Sequence, residues 1–567
     1  MKKYILLFLM IASILNTGCS ESEFDQIIPS PDLSSDEVLN DIRRAGGLIN
    51  PVYGGVRSTP RISLEYFTNN AVEFNGAKRA AVSGATAENS PVSGEWNLAI
   101  DNIFRINEFF KYVKDIKFDA LDEERSEGLK KRTRGEAFGL RAYYKWLLLK
   151  NFAGPSATDG TMLGFPIIDD LLTINEANSV PRSTYLESYN SIKKDLDSAY
   201  KYIEVFRYEG DADVVAGAVN TSRITREAIW ALRARLDLFA ASPAYEQIPW
   251  EQAAQTAYDA IIAIDGGVLK PLSPYGNFDE TDNKDHLWRK GFSSNGNLER
   301  AHYPPSMFGN GNANPSQNLV DAFADKNGFP ITHPNSIYNA IYPYEDREGR
   351  FERFVFYNGQ NDYRNVYIEV FDGGKDANGS IKKQATRTGY YLKKYLSENV
   401  NFDPDQTTGS SKANKMYPIF TRAGLYLDFA EAAVEAYGVN GSNGSMAFTA
   451  KDALVEIRTR AGINNDLYID IADDLLDTYI DLIRNERRVE FAFEGEYYYD
   501  VRRWKLPLEL LTEPVKGVEV TRLGEDSFTY EEKQVESRNF SERMYYNPIP
   551  RNQVLSSNAL IQNAGWQ

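Results

Sequence analysis

The sequence predicts a mainly α fold, a scaffold of tetratricopeptide-like helical hairpins carrying loop-rich insertions. Three observations predict it. Apolar residues recur three and four positions apart in many separate stretches, the period of an amphipathic helix. Alanine and glycine lie along those stripes, which lets paired helices approach closely. Between roughly 266 and 420 the composition shifts to Gly, Asn, Pro and Tyr, which makes loops and short strands in place of long helices.

In chain order, residues 1–18 read as a signal peptide. Lys2 and Lys3 precede an apolar run from Tyr4 to Leu15, too short to span a bilayer. Gly18-Cys19 follows, the layout of a bacterial lipoprotein acylated at Cys19. Asn16 stands where the lipobox usually has an apolar residue, and secretion with cleavage nearby is the alternative. Cys19 is the only cysteine, so the mature chain has no disulfide, although export would permit one. Residues 19–35 form a polar, lipidated tether, and 36–567 a single domain.

The helical stretches are 96–113, 134–152, 183–203, 225–243, 250–264, 422–438 and 446–462, with a last helix from about Leu475. Their pairing suggests hairpin repeats, with the ~34-residue tetratricopeptide period blurred by insertions around 266–420 and 512–547. Long insertions on a scaffold usually carry function.

The formal charge is −17, and loss of Lys2 and Lys3 makes the mature chain more negative still. Nucleic acid and anionic lipid surfaces are poor partners for such a chain. No later run is long and apolar enough for a transmembrane helix, so membrane contact is expected through the lipid alone.

The histidines are His286, His302 and His333. They lack the short helical spacing of a zinc site, and neither HExxH nor a nucleophile elbow occurs. No phosphate-binding glycine loop is present. "DGGKDANG" (372–379) lacks the ligand spacing and closing glutamate of a calcium loop; a structural calcium stays open. No metal or cofactor is expected.

The densest chemistry is "RNERRVEFAFEGEYYYDVRRW" (484–504), with five arginines and five acidic residues. Glu486 and Glu490, one helical turn apart, could be a glycosidase pair. Glu486, however, falls on the apolar stripe of Leu482, Val489 and Phe493, so it points into the core. A buried carboxylate must be paired, and arginine forks suit it. The residues therefore read as a structural ion network of Glu486, Arg487, Arg488, Glu490, Asp500, Arg502 and Arg503. Arg502 or Arg503 is the expected partner of Glu486, with Glu490 nearer the helix rim. The helix is expected to end at Glu494-Gly495, the chain turning back through Tyr497–Tyr499.

"IRNERRVEFAFEGEYYYDVRRW" (483–504) closely resembles the signature of the SusD/RagB family, nutrient-binding outer-membrane lipoproteins of Bacteroidetes. "GEAFGLRAYYKWLLLKNFAGP" (135–155), "ITREAIWALRARLDLFAA" (224–241), "PSQNLVDAF" (315–323), "RAGLYLDFAEAAVEAYG" (422–438) and "YYNPIPRNQVLSSNALIQNAGW" (545–566) follow in family order. "SESEFD" after Cys19 is similar to the family's surface-export signal. "YEDREGRF" (344–351) departs from the family's usual R-D-P-R-F. The resemblance implies a SusD-like fold with four tetratricopeptide-like units. It also implies a non-enzymatic, surface-exposed lipoprotein that captures oligosaccharides, or sometimes peptides. These would pass to a TonB-dependent, SusC-like barrel that the protein covers as a lid. A tetratricopeptide-type protein-interaction or peptide-binding scaffold is the alternative.

Sugar binding needs flat aromatics for ring faces and polar side chains for hydroxyls. The resemblance points to segments 65–80, with Trp96, and 285–312. The candidates are Asn69, Asn70, Arg79, Trp96, Trp288, Tyr303 and Phe308.

Overall fold

The computed structural model describes residues 42–567 apart from 58, 114–117, 119–120, 276–282, 292, 406–408 and 473, and omits the side chains of 42–48. The signal, Cys19 and the tether lie outside the described residues. No described helix is long and apolar enough to cross a membrane.

The fold is dominated by helices. Those of eight residues or more among the described residues are α1 (Ile42–Gly55), α2 (Gly94–Tyr112), α3 (Glu123–Phe152), α4 (Tyr185–Tyr202), α5 (Arg226–Ala241), α6 (Trp250–Asp265), α7 (Arg422–Tyr437), α8 (Ala450–Arg460), α9 (Leu476–Glu490) and α10 (Glu496–Arg503). The sequence missed α1 and began α3 eleven residues late. Threonine starts several helices: Thr184 and Thr449 close capping boxes with Glu187 and Asp452, and Thr225 and Thr421 cap α5 and α7.

Consecutive helices pack in pairs: α2 on α3, α3 on α4, α5 on α6, α7 on α8. The small residues set the spacing. A Cβ at Gly135 or Gly139 of α3 would come within 2.7 Å of Ile203 or Ile224. Helix α6 packs on α7 across the whole insertion, with Ala253, Ala254, Ala257 and Ala260 facing inward against a chain of buried alanines in α7. The chain thus leaves the scaffold after α6 and re-enters it in register at α7.

The insertion builds its own aromatic core around Tyr303, Phe351, Phe354, Tyr390 and Tyr391, separate from the helical core. Helix α9 bridges the two. Its Leu482 and Ile483 belong to the helical core, whereas Val489, with Ala492 and Phe493 beyond it, belongs to the insertion core. Strands are short and paired in twos: β1 (Ala71–Glu73) with β3 (Ala313–Pro315), and β2 (His286–Arg289) with β4 (Pro418–Thr421). The segment 512–547, read as a loop-rich insertion of loops and short strands, holds a hairpin of β5 (Val515–Arg522) and β6 (Phe528–Glu536). Gly517 lets β5 lie against Thr388, whose Cα would be 2.6 Å from a Cβ there. Val518 N–H donates to the Thr388 carbonyl at 2.8 Å.

Candidate functional site

The charged signature sits where the two cores meet. Glu486 is buried on the stripe of Leu482 and Val489, but its partners are not Arg502 or Arg503. Arg350 donates to it at 2.8 Å and Arg458 binds its other oxygen. Burial opposes its charge, yet the two guanidiniums outweigh burial and hold the carboxyl below its ordinary range. Arg350 also grips Glu348 through two bonds.

Glu490 does not lie at the rim. It is buried and takes bonds from Arg460, Arg350 and the Tyr275 hydroxyl. Burial again opposes its charge, and the arginines bring it down to about 2. The chain does not simply turn back through Tyr497–Tyr499. Phe493 and Gly495 take left-handed φ of 67° and 78°, and Tyr497–Tyr499 then lie inside α10. That helix returns Asp500 to Arg487 at 3.2 Å and Arg503 to Asp500 at 2.8 Å. Arg503 also grips both oxygens of Glu431. Arg502 bonds the Tyr498 carbonyl and lies 3.5 Å over the Tyr498 ring. Neither Glu486 nor Glu490 is left free of arginine, as a hydrolytic acid pair requires.

The two predicted ligand segments do meet, because β1 pairs with β3. At one end of this ribbon Ser316 bonds the carbonyls of Asn69 and Asn70; at the other Phe74 N–H donates to the Asn312 carbonyl. Several candidates nevertheless point inward. Trp96 is buried with its ring edge-on to Phe152, and Trp288 is buried between Tyr143 and Phe420. Tyr303 is fully buried and its hydroxyl donates to the Ser397 carbonyl at 2.6 Å. These three rings fill core volume and offer no face to a ligand. Asn70 is buried too, donating to Glu65 at 2.9 Å. Phe308 and Arg79 are exposed, Phe308 with a left-handed φ of 64° beside Asn310, which accepts from Lys382 at 2.6 Å.

Asn69 opens onto a groove that the sequence did not reveal. A groove of about 630 Å³, counting the open solvent at its mouth, is lined by Asn69 with Phe67, Arg488, Tyr497, Glu513 and Phe540. A second, of about 960 Å³ on the same count, shares Arg488, Tyr497, Leu506 and Leu510 with it. Arg488 is therefore not paired like its neighbours in the signature. It donates to Asn70 at 2.8 Å and Asn69 at 3.1 Å, and lies 4.8 Å from the Tyr497 ring centre. Asn69 in turn donates to Glu513 at 3.1 Å. Half-buried rings beside an amide, a guanidinium and a carboxylate make a surface for a ring bearing several hydroxyls. The periodicity of α9 shows Arg488 off the buried stripe; nothing local shows that Phe67, Glu513 and Phe540 join it.

Among the described residues no three metal-binding side chains come together. His302 is buried, and burial brings it down to about 4. In the 372–379 loop, Asp376 accepts from the amides of Ser306 and Glu369, so its oxygens hold loops together.

A helical-hairpin scaffold that presents an open groove defines a class of binding scaffold rather than any one chemistry. Within that class the chain belongs to the SusD family, which it matches over residues 276–566. Residues 22–238 match a second family described as "Starch-binding associating with outer membrane". Among solved structures, a SusD-like protein from Bacteroides fragilis is 23% identical, covering 92% of this chain and 97% of that one, with a TM-score of 0.72. A SusD-like carbohydrate binding protein from Bacteroides fragilis is 20% identical over 91% of this chain and 98% of its own, TM-score 0.67. Surface glycan-binding protein A from Bacteroides fluxus is 18% identical over 92% and 98%, TM-score 0.60. At these identities the likeness is one of fold. No curated protein is detectably similar to the chain.

Proposed function

We propose that the protein is a cell-surface nutrient-binding lipoprotein that captures oligosaccharides in the Asn69–Arg488–Tyr497 groove. It hands them to a SusC-like, TonB-dependent barrel in the outer membrane, to which Cys19 anchors it. Membership of the SusD family carries this reading. The match to a starch-binding, outer-membrane-associated family, and the carbohydrate- and glycan-binding proteins among its structural neighbours, support it. Tyr497 and Phe67 supply ring platforms, and Asn69, Arg488 and Glu513 supply hydroxyl partners. Phe308 and Arg79, exposed on the loop face, are a second contact region for a long chain. No residue is assigned a catalytic role. Copurification with a coexpressed SusC-like barrel from the same cells tests delivery: recovery of a stoichiometric complex supports it, and independent migration of the two proteins contradicts it.

A further inference from the structure

A third cavity lies away from that groove, at the junction of the two cores. It measures about 930 Å³ with its mouth and opens between the segment after α1, helix α3, strand β4 and the turn from α9 to α10. Tyr143 and Phe420 contribute to its wall, and four cations reach it: Arg57, Arg61, Lys150 and Arg235.

These cations are under-compensated. Arg57 and Arg61 share a single oxygen of Glu95, at 2.9 and 2.6 Å. Lys150 and Arg235 share Glu496, at 2.9 and 3.1 Å. Arg235 also bonds Asp428 at 2.7 Å, but Asp428 is held equally by Arg487 at 2.8 Å. The other carboxylate in the wall, Glu494, is bound by Lys394 at 2.8 Å. Arg487 has Asp500 and Glu431 as well, so Asp428 counts for Arg235, and four positive charges face three carboxylates, Glu95, Glu496 and Asp428, in a chain whose net charge is −17. The Lys150 ammonium lies 3.8 Å over the Tyr499 ring centre, so it is stabilised there by an aromatic face rather than by water. Burial, aided by Arg235 and Arg61, brings Lys150 down to about 8 despite Glu496. The buried side chains also leave little water to screen the excess.

We propose that this cavity binds an oxyanion, the carboxylate or sulfate of a small acidic ligand. The cations Arg57, Arg61, Lys150 and Arg235 hold the anion, and the aromatic wall lies beside the body that carries it. Arginine forks suit the planar geometry of a carboxylate and the tetrahedral oxygens of sulfate alike. The site is separate from the Asn69 groove and does not depend on the reading of that groove.

Isothermal titration of the full-length protein at low salt tests it, with sodium glucuronate, sodium sulfate and neutral glucose as probes. One or both anions should bind, and glucose should not bind at this site. Binding of glucuronate alone identifies a carboxylate site; binding of both identifies a general oxyanion site. Arg57→Gln removes the most exposed of the four cations and should weaken anion binding about tenfold. Ile419→Trp fills the mouth from β4 and should abolish binding with every charge in place. Melting curves of both unliganded variants report folding, and either folded variant suffices. Tyr497→Ala, in the other groove, should leave anion binding unchanged. Failure of both anions to bind wild type, or equal binding by both folded variants, overturns the proposal.

Discussion

Glu65 is fully buried, with its two oxygens accepting from Gly495 N–H at 3.0 Å and from the Asn70 amide at 2.9 Å. Burial raises its carboxyl from 4.5 to about 7, further than those bonds can lower it. The folded chain thus keeps a proton between pH 4.5 and 7 that the unfolded chain has lost. Stability from this group is full below 4.5 and falls as pH rises to 7, by roughly 3 kcal/mol. Glu490 and Asp500 act in the opposite sense, both held at about 2 by arginines that outweigh burial. Their contribution is complete above pH 4.5 and disappears as pH falls toward 2. Melting temperature should therefore drop on both sides of about pH 4.5. Glu65→Gln should flatten the limb between 4.5 and 7 and leave the acid limb intact; an unchanged upper limb would assign it to other groups.

Glu486→Ala should cost ~3–5 kcal/mol, because Arg350 and Arg458 are left buried without their shared carboxylate. Glu490→Gln should cost a comparable amount by urea denaturation, since Arg460, Arg350 and Tyr275 all bond that side chain. A Glu490→Gln variant as stable as wild type would mean that the arginines find other acceptors. The burial of Glu486 was legible, since its position on the stripe with Leu482 and Val489 follows from helical spacing alone. Its partners were not, because Arg350 stands 136 residues away. The same limit misplaced Trp288, since an aromatic residue in a polar, loop-like segment gives no local sign of whether its ring faces water or the core. Trp96 opens the helical stretch 96–113 and could be read equally as core, which is where it lies.

At the scale of elements, the helices were legible because 3.6-residue periodicity is local. Even the return at α7 follows from its alanine stripe. The paired strands were not legible: β1 and β3 are three residues each and lie some 240 positions apart, too short for alternation to register. The two strands within 512–547 did not stand out individually, because the buried Val515 stands three residues before Val518, across a register shift, and only Val518 and Val520 keep the strand period. The turn between α9 and α10 gives the sharpest test at this scale. Gly495 has φ of 78°, and a Cβ there would lie 2.7 Å from the Arg61 Cβ. Gly495→Ala should destabilise the protein by roughly 1–3 kcal/mol. It should also disturb α10, seen as faster amide exchange across Glu496–Arg503. Unaltered exchange there would show that the turn relaxes without glycine.

For the whole molecule, α9 joins the two cores, and its Arg488 faces the groove between the 67–69 segment, α10 and the chain beyond it. The class was legible because the signature at 483–504 records this junction, where every buried carboxylate needs its arginine. The ligand face was not, since it is assembled from helix and loop residues far apart in the chain, 67–69, 488–513 and 540. Anchoring is testable independently: Cys19→Ala should shift the protein out of the membrane fraction or trap an uncleaved precursor, and wild-type fractionation with palmitate labelling would refute the anchor. Glycan capture is tested most directly by calorimetric titration of the protein with a panel of polysaccharides and their oligosaccharides, each sample assayed afterwards for new reducing ends. The account predicts saturable binding of at least one glycan without cleavage, weakened about tenfold by Tyr497→Ala through the loss of ~1–2 kcal/mol of ring stacking. Cleavage of the bound glycan, or binding that Tyr497→Ala and Asn69→Ala leave unchanged, would contradict it.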